Sequence, residues 1–274
     1  MTQIGRGSVP TPDLRIVPVN TLHPHEEHDS QRSEPLIERI RTETTMINPP
    51  LVAPMSDDQY VILDGANRVY VFSELGYPHI LVQVADYDSG FIELSNWQHV
   101  VADWDENQFI QHLRQIPEIA VADAESTQPI AHLRLRTGDL LAVCSPVESL
   151  HQRNAALRQV VSVYQQNAHL HRTALTDPTD IWTMFPAANA VVYFPPYFPA
   201  DIIEAAQNHA FLPPGISRHI VHGRAIRVNY PLDALRDPNI SLEQKNADLL
   251  RWMQNKLANR QVRYYAEATY QFDE

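Results

Sequence analysis

Two short stretches combine residue types that could do chemistry. The first, "HPHEEH" at 23–28, sets three histidines and two glutamates around Pro24. Imidazoles and carboxylates this close can ligate a metal, supply a catalytic base, or form a polar loop. Pro24 breaks helical spacing and there is no H-E-x-x-H, so a metal held by His23, His25 and His28 lacks the usual scaffold. The second, "YVILDGANRVYVF" at 60–72, places Asp64 and Gly65 where an apolar strand turns into a helix. The first turn of a helix presents unpaired N–H groups, and Arg68 adds a fixed cation beside them. That combination can hold a phosphate, and an ordinary Asp-Gly turn would look the same at this level.

The rest of the chain narrows the choice. It has 274 residues, a formal net charge of -12 and a sequence pI near 5.5, a balance that repels a nucleic-acid backbone. Lys245 and Lys256 are the only lysines, so an anion bound by the first half must use arginine, histidine or backbone N–H groups. There is no G-x-x-x-x-G-K-[ST] loop, no G-x-G-x-x-G fingerprint, no kinase lysine strand and no G-x-S-x-G elbow. Cys144, the one cysteine, lies in the apolar run "LLAVCSPV" and reads as a buried thiol. The N-terminal "MTQIGRGSVPTPDLR" lacks the apolar core of a signal peptide and no apolar run would span a bilayer, so a cytoplasmic location is the default expectation.

Periodicity places these stretches on elements. Residues 14–22 alternate like an edge strand, and Ser33 is in position to cap a helix carrying Leu36, Ile37 and Ile40. "PLVAPM" and "YVILD" read as strands, "ANRVYVFSELG" as a helix stopped by Gly76, and "HILVQVADY" as a further strand. A helix over "DWDENQFIQHLRQI" follows, and "PEIAVADAESTQP" at 117–129 reads as a connection between halves. Beyond it come a strand pair at "LRTGDLLAV", a helix at "NAALRQVVSVYQQNAHL", and another from 241 with Ser241 and Gln244 in capping-box spacing. The ending "VRYYAEATYQF" alternates as a strand with an aromatic core face. The expected organisation is α/β (α+β), with one domain over 1–120 and a second, mixed α/β domain over 121–274.

At this point the chain resembles a known family. "ILDGANRVYVFSELGYPHILVQVADY" is similar to the D-G-x-x-R box and following strand of the ParB N-terminal/sulfiredoxin-like superfamily. "LHPHEEH" resembles the His-Glu segment of its free L-serine kinase branch. "SNWQHV", "LPPGISRHIVHGRAIRVNYPLDAL" and "RWMQNKLANRQVRYYAEATY" resemble the SbnI type of that branch, found in siderophore precursor synthesis. The resemblance implies a kinase that converts free L-serine into O-phospho-L-serine with a nucleotide, ATP or ADP, and Mg2+.

Carried over by position, Glu26 matches the family's catalytic glutamate and Asp64 the acid of the box, which could hold Mg2+ or orient the hydroxyl. Gly65, Ala66, Asn67 and Arg68 fall on the phosphate-holding turn. The family often has histidine where Ala66 and Asn67 stand, so imidazole contacts are lost here. A sulfiredoxin would need a cysteine in the box, and there is none. Trp97 and His99 match the region near the amino-acid pocket. Arg32 is a candidate for the substrate carboxylate or a phosphate, and Glu27 is an auxiliary carboxylate. Arg218 and Arg224 in "GISRHIVHGR" also match the SbnI-type pattern and read as structural or interdomain groups, a ligand role being the alternative. These assignments meet the needs of phosphoryl transfer to a weak hydroxyl nucleophile: a carboxylate base, an in-line phosphoryl group and neutralising cations. The rival reading is a non-catalytic ParB-like nucleotide-binding regulator or protein-interaction module.

Overall fold

The structure is a computed structural model that describes residues 11–28, 30–124 and 129–265. The chain divides into two compact units, and neither is a continuous half of the sequence. Unit 1 takes residues up to Leu22, then Asp29–Ile92, then the segment from Val221 onward. Unit 2 takes His23–His28 and Glu93–Ile220. The expected break near residue 120 falls instead at a strand, Ala120–Asp123, hydrogen-bonded into the sheet of unit 2. Its small residues suit a pleated edge as well as a linker; residues 125–128 lie outside the described residues.

The sheet of unit 1 runs in the order Asp13–Pro18, His79–Val84, Leu51–Ser56, Gln59–Asp64, with Leu22–Pro24 last. The first pair is antiparallel, the hairpin 51–64 is antiparallel, and Leu51–Ser56 runs parallel to His79–Val84. Parallel neighbours need a crossover connection, and the helix Ala66–Glu74 is part of it between the hairpin and strand His79–Val84. That helix ends as the sequence requires: Gly76 adopts φ +69°, its N–H donates to Ser73 and that of Tyr77 to Phe72. The helix Ser30–Thr42 begins earlier than a Ser33 cap would set it, and Ser33 is buried inside it. Pro35 is thus the sixth residue of this helix, past the first turn where proline costs nothing, and not the early position that a start at Ser33 would give it.

The helix Leu242–Ala258 also belongs to unit 1, capped by Ser241 on the Gln244 N–H. Its place there has a specific cause. Asn246 Oδ1 accepts from the Ile16 N–H at 2.9 Å while its Nδ2 donates to the Ile16 carbonyl at 2.8 Å, satisfying the open side of the edge strand. Leu249 enters the same core as Ile16, Val52, Ile62, Phe72, Ile80 and Leu235. The expected C-terminal strand is not formed over 261–265, where Tyr264 and Tyr265 are exposed; its remainder lies outside the described residues.

Unit 2 is built on a six-stranded antiparallel sheet in the order His169–Thr173, Gln98–Ala102, Ala188–Tyr193, Pro129–Leu135, Leu140–Cys144, Ala120–Asp123. The helices Glu106–Arg114, Leu150–Asn167 and Pro199–Gln207 bury Phe109, Leu113, Leu157, Val160, Tyr164 and Ile202. Cys144 is partly exposed at a strand end, not buried. Among the described residues no helix is long and apolar enough to cross a membrane.

Candidate active site

In unit 1 the turn Asp64–Arg68 is set by backbone geometry. Gly65 sits at φ +96°, where an L side chain is strained, and a Cβ there would lie 2.9 Å from Arg68 Nη2 and 3.1 Å from Pro50 Cβ. Glycine therefore allows both the turn and the folding back of Arg68. The first intrahelical bond runs from Val69 N to Gly65 O, and no side chain caps the helix. The N–H groups of Ala66, Asn67 and Arg68 precede that bond and point out of the helix start.

Two guanidinium groups converge on one carboxylate oxygen. Arg68 Nη2 lies 3.2 Å and Arg224 Nη2 2.9 Å from Asp64 Oδ2. Both cations are anchored by the "NPP" turn: Arg68 Nη1 donates to the Asn48 carbonyl at 2.7 Å and Arg224 Nη2 to that of Pro49 at 2.8 Å. Proline at 49 and 50 supplies carbonyls without N–H groups that would repel them. Buried Gln83 fixes the second arginine from behind, its Oε1 accepting from Arg224 Nη1 and Ala225 N, its Nε2 donating to Gly223 O. Burial lowers the Arg224 pKa, with Asp64 opposing that shift and Arg68 adding to it. Two cations against one carboxylate leave one positive charge in excess beside a helix N-terminus. This is an electrostatic environment for an anion.

In unit 2 the chain at His25–Glu27 runs beside Leu212: Leu212 N donates to His25 O at 2.8 Å and Glu27 N to Leu212 O at 3.0 Å. Successive side chains on an extended segment point opposite ways. Glu27 turns to Arg158, 3.1 Å away. Glu26 turns to the loop 213–217, where three donors meet its carboxylate. Gly215 N reaches Oε2 at 2.8 Å, and Ser217 N and Oγ reach Oε1 at 2.8 and 2.6 Å. His25, buried, donates from Nε2 to Ser217 Oγ at 2.7 Å, because that hydroxyl has already spent its proton on Glu26. The His25 ring also packs edge-on against His219, with centroids 5.6 Å apart. Glu26 keeps 16% of its side chain exposed.

His99, expected near the substrate, is fully buried with both ring nitrogens engaged. Nε2 faces the Gly215 carbonyl at 2.9 Å and Nδ1 the Tyr164 hydroxyl at 2.7 Å. A carbonyl only accepts, so the proton is on Nε2 and Nδ1 accepts from Tyr164. Burial pushes the His99 pKa down to about 4, the Gly215 bond opposing it and Arg172 adding to it. Trp97 is half-buried, with the Arg218 guanidinium 4.8 Å above its ring. Arg32 is exposed on the first turn of its helix in unit 1. Among the described residues no group of three His, Cys, Asp or Glu could hold a metal ion.

No family model matches the chain. Along 94% of its length and 96% of the other's, however, it is 23% identical to the ATP-dependent L-serine kinase SbnI of Staphylococcus aureus. A C-terminally truncated SbnI superimposes with a TM-score of 0.69 at 20% identity, covering 91% of this chain and 97% of that one. A free serine kinase in complex with AMP gives 0.71 at 17% identity, over 84% and 98%. The fold is that of the free serine kinases. The expectation of an α+β architecture of this kind is met. An ATP-dependent L-serine kinase of Staphylothermus marinus is 34% identical over 83 residues, so that match spans about a third of that relative, 33% of its length.

The Asp64–Arg68 box and the segment around Glu26 are short local motifs, whereas the contacts of Arg224 with Asp64 and of Ser217 and Gly215 with Glu26 have no such pattern in the sequence. Arg224 lies 160 residues from Asp64, and Ser217 lies 191 from Glu26. The only local hint was "LPPG" and "HGR", each a glycine at positive φ next to the residue that matters.

Proposed function

We propose that the protein is a free L-serine kinase, transferring the terminal phosphoryl group of ATP to the hydroxyl of L-serine to give O-phospho-L-serine. The observation that supports this reading is Glu26, a largely enclosed carboxylate addressed by two peptide N–H groups and a hydroxyl, with His25 Nε2 3.7 Å from its Oε1, on the segment that resembles the kinases' His-Glu loop. A carboxylate held this way is positioned to accept the serine proton as the hydroxyl attacks phosphorus.

Unit 1 carries the phosphate-holding groups: the helix N-terminus at Gly65–Arg68, with Arg68 and Arg224 supplying positive charge. Asp64 Oδ1 takes no part in the arginine contacts, and a single carboxylate oxygen with phosphate oxygens and water fits Mg2+, which seldom uses an all-protein cage. When bound, the ion would neutralise charge on the phosphates; Asp64 would hold it. Trp97 contributes an aromatic wall and Arg32 a cation for the amino-acid carboxylate or a phosphate. Glu27, paired with Arg158, supports the loop, and His99 acts from behind it. The product suits siderophore or amino-acid precursor synthesis, in the cytoplasm where the nucleotide is available.

The test is direct: purified protein with L-serine, Mg2+ and either ATP or ADP, followed by phosphorus NMR. O-phosphoserine is expected with ATP. Its absence with both nucleotides removes the kinase reading and leaves a nucleotide-binding regulator.

A further inference from the structure

The loop that holds Glu26 is itself held, carbonyl by carbonyl, from the sheet of unit 2. Arg172 Nη2 donates to Pro214 O at 2.8 Å, His99 Nε2 to Gly215 O at 2.9 Å, and Trp97 N to Ile216 O at 2.9 Å. A peptide unit joins the carbonyl of one residue to the N–H of the next. The Pro214–Gly215 amide therefore has Arg172 on its oxygen and Glu26 Oε2 on its N–H, and the Ile216–Ser217 amide has Trp97 on its oxygen and Glu26 Oε1 on its N–H. Hydrogen bonds in series polarise one another, and the effect is greatest where the outer donor is charged. Of the three outer donors, only Arg172 carries a fixed charge.

Gly215 makes the contact sterically possible. It adopts φ +78°, and a Cβ built there would fall on the Arg172 guanidinium. The arginine lies against the space a side chain would occupy, so loop and cation are mutually fitted. The carboxylate oxygens differ as a result. Each has about two lone-pair positions; among the described residues, Oε1 is met by two hydrogen-bond donors, with His25 Nε2 3.7 Å away, and Oε2 by one.

We propose that Arg172 is a positioning residue for the reaction, acting through the Pro214–Gly215 peptide to fix and polarise the N–H that faces Glu26 Oε2, and that Oε2 is the atom that takes the serine proton. In the step, serine Oγ bonds to the terminal phosphorus, the bond from that phosphorus to its bridging oxygen breaks to release ADP, and the Oγ proton passes to Oε2. The proposal rests on the reading of Glu26 as base.

The experiment measures O-phosphoserine formation by the full chain carrying Arg172→Met, Arg172→Lys, Glu26→Gln, or Glu26→Gln with Arg172→Met. Arg172→Met should lower kcat roughly 10- to 100-fold, the scale of a misplaced catalytic group, while KM for ATP moves less than about twofold. Arg172→Lys should recover most of the loss, and Arg172→Met should cost nothing further once Glu26 is glutamine. If circular dichroism shows that Arg172→Met does not fold, Arg172→Gln carries the same test, since it keeps a donor for Pro214 but no charge. Full kcat in either variant beside a crippled Glu26→Gln overturns the proposal and spares the base. An equal further loss in the double variant also overturns it. Wild-type turnover by Glu26→Gln removes the base reading, and this inference with it.

Discussion

Asp64 closes a strand of unit 1 and Glu26 lies on a short connection in unit 2, and the surroundings of these two acids differ in charge, exposure and donor type. The Asp64 side chain is 55% exposed and meets two guanidinium groups; that of Glu26 is 16% exposed and meets two peptide N–H groups and one hydroxyl. Neutral donors orient a carboxylate and leave its net charge in place. Two arginines more than cancel it, and the surplus belongs to whatever anion arrives next. The difference fits the proposed division of labour, in which the first acid organises cations for phosphate and the second is held by neutral donors as the proton acceptor.

The sharpest way to break that contrast is Glu26→Gln. The amide is nearly isosteric and cannot take the proton, so turnover should fall by about 10²- to 10⁴-fold, the usual contribution of a general base. Nucleotide affinity, measured by calorimetry, should stay near wild type if, as proposed, the phosphates are held by the Asp64–Arg68 turn. A parallel loss of affinity would mean that the two acids do not divide the work.

A large effect on stability should come from His99, behind the Glu26 loop. Its folded pKa, pushed down to about 4, lies below the ordinary imidazole value of 6.5. Between those values the unfolded chain binds the proton and the folded one does not, so this contribution is complete above the ordinary value and lost as pH falls. By linkage the loss approaches roughly 3 kcal/mol near pH 4. Urea unfolding at neutral and mildly acidic pH should show the drop, and His99→Gln should flatten it. An unchanged slope in that variant would place the acid sensitivity elsewhere.

What could be read beforehand follows from sequence distance. The Asp64–Arg68 turn was legible because glycine, acid and arginine fall within five successive positions and each constrains the others. Most strands of unit 1, the main helices and the caps at Gly76 and Ser241 were legible for the same local reasons, whereas the strand Ala120–Asp123 read as a connection and the expected C-terminal strand is not formed over 261–265. The division of the chain was not. It depends on Asn246 meeting Ile16 across 230 residues and on a return of the chain at Val221, neither of which leaves a local pattern. His99 shows the same limit: a histidine in "NWQHV" reads alike on a surface and in a core, and only Tyr164 and Gly215 decide between them.

Arg224 sharpens the unit 1 side of the comparison. Replacement by Met removes one of the two cations on Asp64, and the loss of a charge-assisted contact should raise KM for ATP about 10-fold. Arg224→Lys should recover only part, since a point charge cannot bond Gln83, Pro49 and Asp64 together as the guanidinium fork does. Steady-state kinetics at low and high salt distinguish the two, the Lys variant being the more salt-sensitive. Equal KM values for all three proteins would return Arg224 to a purely structural role.

Ser217→Ala is the smallest change and the most demanding of the unit 2 side. It deletes the hydroxyl between His25 and Glu26 Oε1 but leaves the Ser217 and Gly215 N–H groups in place. Losing one of three donors, with both peptide N–H groups left to hold the carboxylate, should cost about 1 kcal/mol, so kcat should fall roughly 3- to 10-fold with KM for ATP unchanged. The carboxylate would still be held by both peptides, which is why the effect stays well below that of Glu26→Gln. A loss as large as that variant's, seen in the same assay, would mean that the hydroxyl does more than orient: the proton leaving serine would then have to travel on from Glu26 through Ser217 toward His25, and the base would be the three residues together.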